Sequence, residues 1–264
     1  MARSWVLANV LWLAACGRLG FDERAAPPPD GDTATDATPI GPRAQLSATS
    51  LAASAECGVA QPPSVVLSIG NTGDTDLVVT SATATGGFTV TSPLPVTVPP
   101  GDATQLAIAP PPAIVGTDLA GDTKLGTLTL TTNDPVAAPP VDLTATVIGA
   151  NIGFVAQGAP VSLVTFSAMS ACPLPQPVRI VNTGTKPATI AFTGTSNVTF
   201  AGFSGGVLDA SSSAAIDLRA STTGACAVNG GYLLYTVTGS VCTTTPNALA
   251  VKIDINGSSS CFCS

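Results

Sequence analysis

From Ala44 onward, hydrophobic and polar residues alternate with a period of two. Val65, Leu67 and Ile69 take every second position of one run, and Leu106 and Ile108 do so in another. Leu128 and Leu130 are interleaved with Thr127, Thr129 and Thr131, and Val141, Leu143, Ala145 and Val147 follow. Farther on, Val178/Ile180, Ile190/Phe192, Ile216/Leu218 and Val251/Ile253/Ile255 repeat the pattern. Successive side chains of a strand point to opposite faces, so this alternation predicts half-buried strands. The runs are short and end in Gly, Pro, Asn or Asp, which predicts antiparallel strands joined by turns. No segment past Cys16 keeps a helical period. Threonine supplies most of the solvent face; it is a good strand former and needs no counter-ion.

The pattern occurs twice. Cys57-GVAQPPSVVLSIGNTG matches Cys172-PLPQPVRIVNTG: a cysteine, prolines, an apolar strand, then Asn-Thr-Gly. Gly126-TLTLTTNDP aligns with Gly231-YLLYTVTG, and Val141-DLTATVIG with Leu249-AVKIDING. The offset between Asn71 and Asn182 is 111 residues. The expected fold is all-β: two tandem immunoglobulin-like sandwiches, residues 44–149 and 150–257, each of a size that suits such a domain. A cysteine-containing tail, 258–264, follows.

The start of the chain reads differently. Arg3 precedes the apolar run Trp5–Ala15, which has the length of a signal-peptide core and is too short to span a bilayer. Leu13-Ala14-Ala15-Cys16 has the form of a lipobox: small residues before the cleavage point, then a thiol able to take a diacylglycerol thioether. Residues 1–15 are therefore expected to be a lipoprotein signal peptide, and Cys16 the lipidated first residue. Residues 16–43 carry Pro27-Pro28-Pro29, Asp30, Asp32 and Asp36 with little to bury, which predicts a disordered tether. Residue 17 is glycine and not aspartate, which favours the outer membrane or cell surface.

Composition narrows the chemistry. The 264-residue chain has no histidine, so mechanisms and metal sites built on imidazole are excluded. Charged residues make up only 9 %, and the formal net charge is −7. Sparse, unclustered Lys and Arg argue against a nucleic-acid partner and against electrostatic docking on anionic lipid.

The order "Asn-Thr-Gly, strand, Phe88, Pro99-Pro100-Gly101, strand, Gly126-TLTLTTNDP, strand, Gly149" resembles the bacterial choice-of-anchor D domain. That family is related to the ASH/Hydin-like branch of immunoglobulin-like folds. The resemblance covers residues 45–148 well and 150–257 more loosely, because the second unit lacks TTNDP and has different cysteines. The leader from Ala15 to Asp22 resembles lipoproteins of myxobacteria. Such a family implies surface attachment, with no enzyme activity and no catalytic residues to carry over.

Other residues that could support chemistry have structural readings. Asn71-TGDTD-Asp76 has the look of a calcium loop, but the second unit replaces Asp74 by Thr185 and Asp76 by Pro187 while keeping Asn-Thr-Gly. The shared part is then a turn, with glycine for a positive φ and asparagine for a side-chain bond to the backbone. Asp118/Asp122 and Asn133/Asp134 read as loop residues, so no metal site and no cofactor are expected. No carboxylate sits among aromatics that could raise its pKa and hold a sugar. Tyr232 and Tyr235 read as sandwich packing. Asn197 and Asn256 fit a glycosylation sequon that has no force in a bacterium. Cys261-Phe-Cys263 could hold Cu(I) as two thiolates, although no further ligands lie near it in sequence.

Six cysteines after Cys16 in an exported chain point to disulfides. In an immunoglobulin-like sandwich the A–B and E–F loops share one end, and the B–C and F–G loops share the other. That places Cys172 with Cys226 inside unit two, and Cys57 with Cys242 across the junction. Cys261 or Cys263 is the rival partner of Cys172; otherwise these two pair with each other or with another chain. The function expected is that of a non-enzymatic surface lipoprotein serving as a spacer, adhesion or protein-docking module, held by its lipid and facing another envelope component. The alternative is an envelope binder of saccharide or peptide, using loop tips or an edge strand. A hydrolase is the remote third reading.

Overall fold

Alternation becomes strands wherever it was strongest. In the first half these are β1 (Ala44–Leu46), β2 (Ser50–Glu56), β3 (Val65–Asn71), β4 (Leu77–Ala84), β5 (Thr89–Val90), β6 (Val96–Val98), β7 (Ala103–Ala109), β8 (Thr123–Thr132) and β9 (Val141–Ile148). One sheet has the order β1-β3-β7-β5 and the facing sheet β2-β9-β8-β4-β6. Leu67, Ile69, Leu106 and Ile108 from the first sheet meet Leu77, Leu128, Val141 and Leu143 from the second in one buried cluster. The alternating threonines stay on the outer face, as at Thr129 between Leu128 and Leu130.

The second half repeats the plan with β10 (Ile152–Ala156), β11 (Ala159–Pro160), β12 (Leu163–Ala168), β13 (Gln176–Asn182), β14 (Ala188–Ser196), β15 (Val198–Gly202), β16 (Gly206–Leu208), β17 (Ser212–Ala220), β18 (Gly231–Thr238) and β19 (Ala248–Ile255). Its sheets run β11-β10-β13-β17-β15 and β12-β19-β18-β14-β16. A separate core forms around Phe166, Ile180, Ile190, Ile216, Leu233 and Tyr235. Two tandem immunoglobulin-like sandwiches result. The computed structural model describes residues 41–168, 175–220, 230–244 and 248–255, and both sandwiches belong to one compact unit.

The pairing departs from the sequence expectation at one place in each sandwich. β2 lies parallel to β9, and β12 lies parallel to β19. The cause is the path of the first strand. It begins in one sheet as β1 or β10 and crosses to the other as β2 or β12. β1 runs opposite to β3, and the turn after β3 reverses the chain into β4. Two more reversals, β4 to β8 and β8 to β9, leave β9 pointing the same way as the first strand. Parallel pairing is then the only kind available to the crossed segment.

Candidate functional site

Each sandwich is closed by its Asn-Thr-Gly turn, which grips the segment leading into the first strand. Asn71 is buried at the end of β3. Its Nδ2 donates to the carbonyls of Thr75 (2.8 Å) and Val98 (2.9 Å). Its Oδ1 accepts from the backbone N–H of Gly73 (3.0 Å) and of Arg43 in the lead-in (3.2 Å). Asn182 does the same in the second sandwich. It donates to Lys186 (2.8 Å), Leu208 (3.2 Å) and Asp209 (3.1 Å), and accepts from Gly184 (3.0 Å) and Asn151 (3.2 Å). A buried amide costs stability unless its donors and acceptor are matched, and here they are.

The glycine of this turn has a different purpose from the one its sequence implies. Neither Gly73 nor Gly184 has a positive φ. A Cβ on Gly73 would collide with the backbone of Gly41 and Arg43, and one on Gly184 with Gly149, Ala150 and Asn151. Glycine is required for close approach of the lead-in strand, and not for a left-handed conformation. Loop carboxylates serve the same framework. Asp134 accepts from Ala44 and Val136 (2.8 Å each), with Arg43 at 3.8 Å. Asn133 joins Val78 (2.8 Å) to Asp76 (3.0 Å).

The lead-in of the second sandwich is also the tail of the first, so the second clamp builds the junction. Cys57, just after β2, and Cys242, after β18, are joined by a disulfide with Cα atoms 5.1 Å apart. Ala55, Val147 and Ala113 bury against it. Beside it, the Glu56 carboxylate accepts a hydrogen bond from Ser240 Oγ and pairs with Lys186 Nζ at 3.0 Å. The Ser240 bond, followed by Lys186, holds the Glu56 carboxyl below the usual carboxylate range. The segment 113–122 of the first sandwich packs onto the second. Ala120 exchanges two backbone bonds with the Asn151 amide (3.0 and 3.2 Å), and the Gly116 N–H donates to Cys242 O (2.6 Å). Asp118 fixes that segment by accepting from Ile114 N–H (2.6 Å) and Lys124 Nζ (2.8 Å), which lower its pKa in that order. Asp122 caps it through Leu119 N–H (2.7 Å).

Of the cysteines singled out in the sequence, the fold brings Cys57 and Cys242 together. Cys16, Cys172, Cys226, Cys261 and Cys263 lie outside the described residues. The two tyrosines separate: Tyr235 is buried in edge-to-face contact with Phe154, ring centroids 5.2 Å apart, whereas Tyr232 faces solvent. Sequence reasoning missed Glu56, Lys186, Ser240 and Asn151. Their partners lie 130 residues away for Glu56–Lys186 and 184 for Glu56–Ser240, so no local spacing announces them. Asn151 had only its place beside the unit boundary to mark it.

No protein-family model matches the chain, and no curated protein matches it. Solved structures that align with it share the immunoglobulin-like architecture only distantly. They include a protein of unknown function from Porphyromonas gingivalis, at 10 % identity and TM-score 0.33, covering 80 % of this chain and 98 % of that one. The periplasmic chaperone SfaE aligns at 11 % identity and TM-score 0.31, covering 81 % and 100 %. The ASH/PapD-like domain of human CEP192 aligns at 12 % identity and TM-score 0.29, covering 50 % and 99 %. Similarity at this level carries no inference about activity.

Proposed function

We propose that this chain is a non-enzymatic cell-surface lipoprotein, anchored through Cys16, whose two sandwiches form a stiff spacer that presents a docking surface to another envelope component. The observation that carries the reading is the junction. A disulfide, an ion pair and the Asn151–Ala120 exchange join the first sandwich to the second at the junction between them. Two domains left free to swing would need none of these. The lipobox and the acidic, proline-containing tether support attachment at the outer membrane. Protein partners are favoured because the sandwiches end in unclosed sheets whose edge strands can receive another chain.

Small-angle scattering of the oxidised protein tests the spacer. A single conformation of residues 44–255 should account for the data, and a requirement for a broad spread of inter-sandwich angles would refute it. For the anchor, palmitate labelling should be lost in Cys16→Ser, with the protein leaving the membrane fraction. Labelling that persists in that variant removes the lipoprotein reading.

A further inference from the structure

The crossing of the first strand leaves an opening in the second sandwich. Between Phe154 and Leu163 the chain makes an extra hairpin, β10–β11, turning at Gln157 and Gly158, both with positive φ. Between this hairpin and the β18–β19 side lies a cavity of about 390 Å³, open to solvent on one side and lined by Ile152, Phe154, Val161, Tyr235 and Leu249, with Ser162 also on its lining. Cavities of roughly 300–1,000 Å³ with apolar walls and few polar groups are the usual form of small-molecule sites.

Tyr235 is the buried polar side chain here. It is 2 % exposed, it lines the cavity, and among the described residues nothing hydrogen-bonds its hydroxyl. Burial alone pushes its pKa up to about 12. A buried, unpaired hydroxyl is rare enough to need a reason. The corresponding position of the first sandwich is Leu130, which brings no such group into the core. None of the residues lining the cavity is charged, so an ionised ligand would find no counter-charge there to offset what hydration it gives up.

We propose that this cavity binds a small uncharged molecule, hydrocarbon over most of its surface, with one oxygen that accepts a hydrogen bond from the Tyr235 hydroxyl. The site is independent of the anchor and spacer reading, and either can fail without the other.

Three probes of similar size separate the terms in titrations of the full chain: acetophenone (a carbonyl), cumene (no oxygen) and benzoate (ionised). Acetophenone should bind saturably, about 5–10-fold more tightly than cumene, and benzoate should not bind. In Tyr235→Phe, which keeps the ring and its packing, acetophenone should fall to the affinity of cumene. The ¹³C resonance of carbonyl-labelled acetophenone should move downfield when bound to the wild type and not when bound to Tyr235→Phe. A second variant, Val161→Trp, places bulk in the cavity and should abolish binding of both neutral probes while the far-UV spectrum is kept. The proposal is overturned if none of the probes saturates, if benzoate binds as well as acetophenone, or if Tyr235→Phe leaves the preference for acetophenone intact.

Discussion

The two sandwiches use one clamp and two different seams. Asn71 and Asn182 occupy the same place, make the same kinds of bonds and hold equivalent lead-in residues, Arg43 and Asn151. At the crossing of the first strand the halves diverge. Leu46 and Phe154 are equivalent by register, facing Ile69 and Ile180. The first sandwich crosses through residues 47–49 alone, and Ala48 packs on its core. The second crosses through 155–162, with the added hairpin. Leu130 in one half answers to Tyr235 in the other. The clamp cannot vary, because it matches every polar group of a buried amide. The seam can vary, because apolar contacts are non-directional and tolerate a change of side chain.

Cutting the link between the halves should have the largest effect. Cys57 and Cys242 are 185 residues apart in sequence, and a loop of that length corresponds to about 5 kcal/mol in the chain-entropy model. Cys57→Ala with Cys242→Ala should lose up to that amount in urea unfolding. Both tyrosines lie in the second sandwich and both tryptophans, Trp5 and Trp12, precede Cys16. Tyrosine fluorescence thus follows the second half, and circular dichroism follows both. The two transitions should coincide in the wild type and separate in the variant; coincidence in both would mean that other junction contacts suffice for cooperativity.

Asn71→Ala and Asn182→Ala come next, at about 3 kcal/mol each, since each removes several hydrogen bonds and strands buried backbone groups. Near-equal losses are expected. A severalfold inequality would break the equivalence of the two clamps.

Tyr235→Phe should stabilise the ligand-free protein by about 1 kcal/mol, because it deletes a buried hydroxyl that no described residue hydrogen-bonds and keeps the ring. The pH dependence has a definite sign. The folded pKa is raised to about 12, above the ordinary value of about 10. The neutral form is therefore favoured by folding, and stability present below about pH 10 is lost as pH rises toward the folded value. Tyr235→Phe should flatten that alkaline loss, and an unchanged alkaline limb would count against burial of the hydroxyl.

Glu56→Gln should have the smallest effect, below about 1 kcal/mol at neutral pH, because the Glu56–Lys186 pair is partly exposed. The folded pKa of Glu56 is depressed, so its contribution is present above the unfolded carboxylate value and lost as pH falls through the folded one. Wild type and variant should converge in acid, as read from urea midpoints. A gap that widens in acid would show that the carboxylate does not stabilise the junction.

Much of the fold was legible along the chain. Period-two runs marked Leu67/Ile69, Leu106/Ile108 and Val178/Ile180 as core, and each pair is buried. The repeat of Asn-Thr-Gly marked two units of one architecture. What sequence fixed was thus local: which residues face inward, where turns fall, and that the plan occurs twice. Alternation records the face of a strand and says nothing about its neighbour. The parallel placing of β2 on β9 and β12 on β19, the use of Gly73 and Gly184 for close approach, and the meeting of Glu56, Lys186 and Ser240 were decided only in three dimensions. The same holds for the cavity, since a buried hydroxyl at Tyr235 with no partner among the described residues exists only once two sheets have closed over it and a hairpin has failed to fill the space. Such features depend on long-range packing, in which the partner's distance in sequence carries no trace of its distance in space.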